Sequence, residues 1–163
     1  MEPMSISELL KMRVEYFDFE QDFMEDNIRC IPMIVRFKLD ACGIKLKLKE
    51  WSKMNVEERE SLANDPIDSE ERLHSYRERL EKMILNHTSE KPTYLPINQE
   101  TPWAINDRLP IQLQEKLSEL KMNMTIDQWR NLGFLQRYAL LKLTRPGHEN
   151  RNFPKAMKEF GLI

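Results

Sequence analysis

The side chains best suited to hold a metal or do covalent chemistry are Cys30, Cys42, His74, His87 and His148. A zinc or iron–sulfur site needs such ligands clustered. The two cysteines are twelve residues apart, near the two ends of one expected helix and so ~18 Å apart along its axis. That distance excludes a shared metal and a disulfide, and the two are read as buried, reduced thiols. The histidines are scattered, with no second ligand three or four positions on. His87 falls at the end of a long expected helix, where an imidazolium suits the helix dipole. His148 follows Pro146-Gly147 in a basic stretch and is a candidate for contact with a partner. Four dispersed glycines form no phosphate-cradling loop, and no Gly-x-Ser-x-Gly elbow occurs. The carboxylates belong to a chain that is 32% charged and are read as solvated. The residues therefore point to no catalytic, metal-binding or cofactor-binding group, and no enzymatic activity is expected.

The charges are distributed in blocks. Residues 1–27 carry eight acids and two bases, residues 28–53 seven bases and two acids, and residues 54–81 nine acids and four bases; from Arg137 onward there are six bases and two acids. Such blocks are either solvated helix faces that neutralise one another or complementary patches for a protein partner. Within the basic block, Lys45, Lys47 and Lys49 alternate with Ile44, Leu46 and Leu48. In extended chain this puts three ammonium groups on one side. These lysines, with Arg29, Arg36 and His148, are the partner-binding candidates. A net charge of −2 gives no global pull toward nucleic acid or a membrane surface. The opening Met-Glu-Pro-Met-Ser lacks a basic and apolar leader, and no apolar run is long enough to cross a bilayer. A cytoplasmic protein with reduced thiols is expected.

These residues must be positioned by helices. Ile31, Ile34, Val35, Leu39 and Cys42 follow helical spacing after Pro32, and Gly43 supplies a stop. Ile44 to Leu48 reads as an extended connector, because a strand there has no evident partner. A helix follows around Val56–Ala63. Asp68-x-x-Glu71 is an aspartate form of a capping box, opening a long helix with the apolar stripe Leu73, Tyr76, Leu80, Met83, Ile84 and His87. Residues 88–108, with Pro92, Pro96 and Pro102, read as a loop packing through Tyr94, Leu95, Ile97, Trp103 and Ile105. It is long enough to be functional or a linker between lobes. Near the start, Ser5-x-x-Glu8 can cap a short helix, and the aromatic stretch from Tyr16 to Phe23 reads as extended chain laid across a helical core, or as a short arm.

An internal repeat organises the rest. A shift of 78 residues places residues 31–62 on residues 109–140 without a gap, with six identities: Pro32/Pro110, Lys38/Lys116, Leu39/Leu117, Trp51/Trp129, Arg59/Arg137 and Leu62/Leu140. Thr125-x-x-Gln128 is a capping box in the second copy. The two tryptophans are expected to be core anchors, and the two arginines to meet a carboxylate or a helix C-terminus. The second copy carries Asn123, Thr125 and Asp127 where the first has its three lysines, so the repeat does not require that charge. The expected fold is all-α: one compact helical domain over residues 1–163, built from two pseudo-symmetric helix–connector–helix units plus a long helix.

The stretch Arg29-Cys-Ile-Pro-Met-Ile-Val-Arg-Phe-Lys-Leu-Asp40, then Cys42-Gly-Ile-Lys-Leu and Trp51, resembles the nitrate-reductase-associated protein family. So does Gln136-Arg-Tyr-Ala-Leu-Leu-Lys-Leu-Thr-Arg-Pro-Gly-His148, ending in Glu159-Phe-Gly. The resemblance runs from near Phe17 to the end and leaves residues 1–15 outside. It implies a factor that binds bacterial assimilatory nitrate reductase and supports its activity or maturation, with no catalytic residues to carry over. Two other readings stand beside it. A small helical enzyme acting on the reductase cofactor needs polar side chains converging in a pocket. A nucleic-acid-binding regulator needs a reading helix in segments 28–53 or 137–158, and the net charge disfavours it.

Overall fold

The computed structural model describes residues 17–20, 31–97, 101–146 and 148–163. The protein is all-α: eight α-helices, with a single two-stranded ribbon among the described residues. Its contacts divide into two units, Met1–Asn98 and Gln99–Ile163. The division falls inside the proline-containing segment 88–108.

In the first unit, α1 (Met33–Cys42) begins after Pro32, whose missing N–H would be unpaired there in any case. The helix stops at Gly43, which takes a left-handed φ of 73° and donates its N–H to Leu39 O. Glu20, buried in a short 3-10 turn (Asp18–Glu20), caps the start of α1 by accepting from Met33 N at 2.7 Å. The backbone at Asp18–Glu20 is thus a helical turn and not extended chain, and Phe19 is buried in it; residues 1–16 and 21–30, including Ser5, Glu8, Tyr16, Phe23, Arg29 and Cys30, lie outside the described residues.

Strand β1 (Ile44–Lys45) follows, then α2 (Leu48–Lys53) and α3 (Val56–Asn64). Asn55 and Glu58 form a reciprocal capping box at the start of α3. The long helix α4 (Glu70–Thr88) buries Tyr76, Leu80 and Ile84 from its apolar stripe. Its N-cap is Ser69, whose hydroxyl accepts from Arg72 N. The expected Asp68 cap is one residue early; Asp68 instead pairs with the Arg72 guanidinium at 2.8 Å. Both residue types can cap, and it is Ser69 whose extended backbone stands immediately before the first turn of α4. Strand β2 (Thr93–Tyr94) closes the unit and pairs antiparallel with β1, so the expected connector is a strand at Ile44–Lys45 with a partner from residues 88–97.

The second unit has a 3-10 turn (Pro102–Ala104), then α5 (Ile111–Glu119), α6 (Ile126–Asn131), α7 (Phe134–Leu143) and α8 (Asn152–Glu159). The Thr125–Gln128 capping box is formed in both directions. Leu113, Trp129, Leu140, Leu143 and Phe153 are fully buried.

The starts of α5, α6 and α7 each lie 78 residues beyond those of α1, α2 and α3. All six shared identities sit at buried positions. Lys38 Nζ donates to Ala63 O and Asp65 O at the end of α3. Lys116 Nζ donates to Asn150 Oδ1 at 2.6 Å, and the Asn150 amide donates to Leu143 O just past the matching point of α7. Burial of Lys38 lowers its pKa, a shift that the nearby Asp65 carboxylate opposes.

Candidate docking surface

The lysine segment is built from three backbone states. Lys45 is on β1, Lys47 is the extended N-cap of α2, and Lys49 lies within that helix. Glu50 begins the helix by accepting from Lys47 N at 2.8 Å. The period-two pattern holds for Ile44 and Leu46, which are buried, and fails at Leu48, which is 47% exposed. The expected continuous strip is therefore interrupted, because the chain turns helical at Leu48 and side chains then advance about 100° per residue. Lys45 and Lys49 remain exposed and Lys47 half-buried. Among the described residues, no ion pair occupies their three ammonium groups.

Beside them runs the outer ribbon strand. Ile44 pairs with Tyr94 and Lys45 with Thr93, and Leu95 N donates to Gly43 O at 2.8 Å. A Cβ at Gly43 would lie 2.9 Å from both Leu95 O and Ile97 Cγ1, so glycine is needed here for the close approach as well as for its positive φ. The strand is thus laid tightly over the end of α1. Tyr94, Leu95 and Ile97 are nevertheless 47, 42 and 53% exposed, so they do not pack as expected of them. The Arg77 guanidinium lies 5.0 Å from the Tyr94 ring centroid, and the phenol donates to Glu81. That bond holds the phenol above its ordinary pKa. The result is an exposed apolar strip along the ribbon, Tyr94, Leu95 and Ile97, beside Arg77 and the Lys45 segment, with Leu48 exposed separately at the start of α2. Sequence reading missed the apolar part because such residues in a proline-containing segment look like packing groups.

The other candidates fall elsewhere. Arg36 is half-buried, its Nε donating to Ile31 O at the start of α1. Arg29 lies outside the described residues. His148 begins a 3-10 turn (His148–Arg151), and its side chain is outside the described residues. Cys42 is buried, and desolvation pushes its thiol up to about 11, the opposite of a reactive or metal-ready thiolate. Cys30 lies outside the described residues, and α1 itself begins at Met33. His87 is held by Glu58 at 2.8 Å in addition to its place in the last turn of α4. His74 pairs with Glu78 along the same helix. Among the described residues, no three His, Cys, Asp or Glu side chains are grouped to hold a metal.

The two arginines of the repeat use the second of their expected partners. Arg59 and Arg137 each donate Nε–H, at 3.1 Å, to the carbonyl of a tryptophan in the short helix before them, Trp51 or Trp129. Both tryptophans are buried, and Trp129 Nε1 donates to Ile105 O.

Among the described residues, no helix is long and apolar enough to cross a membrane. No curated protein and no solved structure matches the chain. The sequence pattern of one family does match, over residues 16–160. The span takes in both units and the lysine segment, and by it the chain belongs to the family of conserved nitrate reductase-associated proteins.

Proposed function

We propose that the protein is a binding factor that docks on nitrate reductase, or on its immature form, and supports its activity in the cytoplasm without a reaction of its own. The family supplies the partner's name, and the surface of the first unit supplies the means. The observation that carries this reading is the exposure of Tyr94, Leu95 and Ile97 along the strand that pairs with the lysine-bearing segment, where Lys45 stands opposite Thr93. Exposed apolar groups rimmed by charge have the anatomy of a protein interface. The lysines suit an acidic partner surface, where they would raise the encounter rate and set orientation. They are not needed to hold the fold, since the second unit has Asn123, Thr125 and Asp127 at the corresponding places.

The test is capture of nitrate reductase by the tagged protein, followed by reconstitution of its activity. Capture should weaken as salt rises, because exposed charges are screened over about 8–10 Å at physiological ionic strength. The Lys45/Lys47/Lys49→Glu triple variant should fold, yet neither capture the reductase nor support its activity. A Leu95→Asp variant should lose capture even at low salt. Full support of nitrate reduction by both variants would rule this surface out. Recovery of cofactor-free reductase would identify maturation as the step, whereas recovery of the complete enzyme would identify a subunit-like role.

A further inference from the structure

The second unit carries an open concavity of about 590 Å³ lined by Asn106, Arg130, Leu132, Gly133, Phe134 and Arg137. Its base is a buried cation. Arg137, 3% exposed, donates to Trp129 O, Trp103 O, Arg130 O and Asn106 Oδ1. Every one of these acceptors is a carbonyl or amide oxygen, so among the described residues no carboxylate neutralises the guanidinium. A guanidinium offers five N–H donors, and these four acceptors leave one to spare. Desolvation by burial lowers the arginine's pKa. At the rim, Arg130 donates Nε–H to Asn106 O and approaches the exposed Asp127 only to 3.6 Å. Phe134 supplies an apolar wall, 54% exposed, with its ring edge-to-face against Trp103 at 5.3 Å.

The matching place in the first unit shows what fills such a position. There the N-cap is Asn55, whose Oδ1 accepts from Glu58 N at 2.8 Å. In the second unit the cap is Gly133, which has no side chain to offer. Arg130 and Phe134 stand where the first unit has Ser52 and Val56. The position that an internal oxygen closes in one unit is open in the other, beside two guanidiniums and an exposed ring.

We infer that this concavity is a recognition site for an acidic peptide segment, taking one carboxylate side chain between Arg130, Arg137 and the open cap at Gly133, with an adjacent aromatic or aliphatic side chain on Phe134. Charge complementarity fixes the occupant's sign. The half-exposed ring beside the cations fixes its mixed character, which a bare inorganic anion does not match. The site is independent of the lysine surface proposed above, and either can fail without the other.

The test is an amide and arginine Nε chemical-shift titration of the whole protein with a blocked Gly-Glu-Phe-Gly tetrapeptide, its Gln counterpart, and sodium acetate. The Glu peptide at millimolar concentration should shift Gly133, Phe134 and the Arg137 side chain, binding at least about tenfold more tightly than the Gln peptide or acetate. The decisive variant is Gly133→Asn, which restores the first unit's cap. Gly133 has a φ of −70° and a Cβ there would come no nearer than 3.7 Å to Gln136 Oε1, so the variant should fold and melt no lower than the parent. It should lose peptide binding by about tenfold or more, as should Arg130→Gln. Equal binding of acetate and the Glu peptide would reduce the site to an adventitious anion contact and overturn the proposal. So would unchanged peptide binding by Gly133→Asn, or the absence of shifts at these residues.

Discussion

Arg59 donates its Nε–H to the carbonyl of Trp51 at 3.1 Å, while its guanidinium carbon lies 5.1 Å from the centroid of the same residue's ring. The arrangement recurs between Arg137 and Trp129 at 3.1 and 5.2 Å. In each case a short helix ends two residues after the tryptophan, and the arginine satisfies a carbonyl near that C-terminus while stacking on the ring. Only a planar guanidinium does both at once.

Replacing either arginine by lysine should therefore cost about 1–3 kcal/mol, because a buried carbonyl loses its donor and the stacking is lost. Trp51→Ala and Trp129→Ala should cost more, roughly 3–5 kcal/mol, as truncations of large buried side chains do. Urea unfolding monitored by circular dichroism measures both. Arginine variants with parental midpoints would show that the clasp contributes nothing.

Gly43→Ala should destabilise by about 2 kcal/mol or more. A left-handed φ alone costs roughly 1–2 kcal/mol for a residue with a Cβ, and the added carbon would meet Leu95 O at 2.9 Å. The relief available is movement of the β2 segment away from α1. Amide exchange at Leu95, whose N–H bonds Gly43 O, should accelerate more than exchange in the centre of α4. Parental protection at Leu95 would refute the packing argument.

The end of the long helix offers a test at single-residue precision. Ser69→Ala should cost about 1 kcal/mol, the usual price of a lost N-cap, whereas Asp68→Ala should leave the melting temperature almost unchanged. Asp68 is fully exposed and its pair with Arg72 is screened by solvent. The reverse ranking would restore Asp68 as the cap.

Alkaline pH should destabilise the fold through Cys42. Its folded pKa of about 11 lies above the ordinary thiol value of 9.0, so the folded state keeps a proton that the unfolded state gives up. The contribution is complete below pH 9 and is lost progressively as pH rises toward 11. Tyr76, raised by burial, acts in the same direction from pH 10 upward. Lys38, with its pKa lowered, acts in the opposite direction as pH approaches 10.5. Comparing Cys42→Ala with its parent cancels both of those groups. The variant's stability should fall less steeply between pH 9 and 10, and identical slopes would mean that the thiol is not shielded.

Neighbouring residues alone determined much of this protein. Pro32 and Pro110 open helices, Gly43 closes one, and Thr125 with Gln128 caps another, because each effect acts within about four residues of backbone. The spacing of Trp51 and Arg59, repeated at Trp129 and Arg137, was likewise legible, since a helix turn and its cap place those pairs. The pairing of Ile44 with Tyr94 was not, because a two-residue strand carries too little pattern to name a partner fifty residues away. The cap supplied by Glu20 to Met33 is hidden for the same reason. Exposure was the other thing that only the tertiary structure decided. Leu48, Tyr94, Leu95 and Ile97 have the chemistry of core residues, while Lys38, Lys116, Arg59 and Arg137 have that of surface residues. Their places are exchanged because backbone carbonyls at helix ends and tryptophan faces can satisfy a buried cation. Nothing in the described fold covers the apolar strip along the ribbon to the same extent.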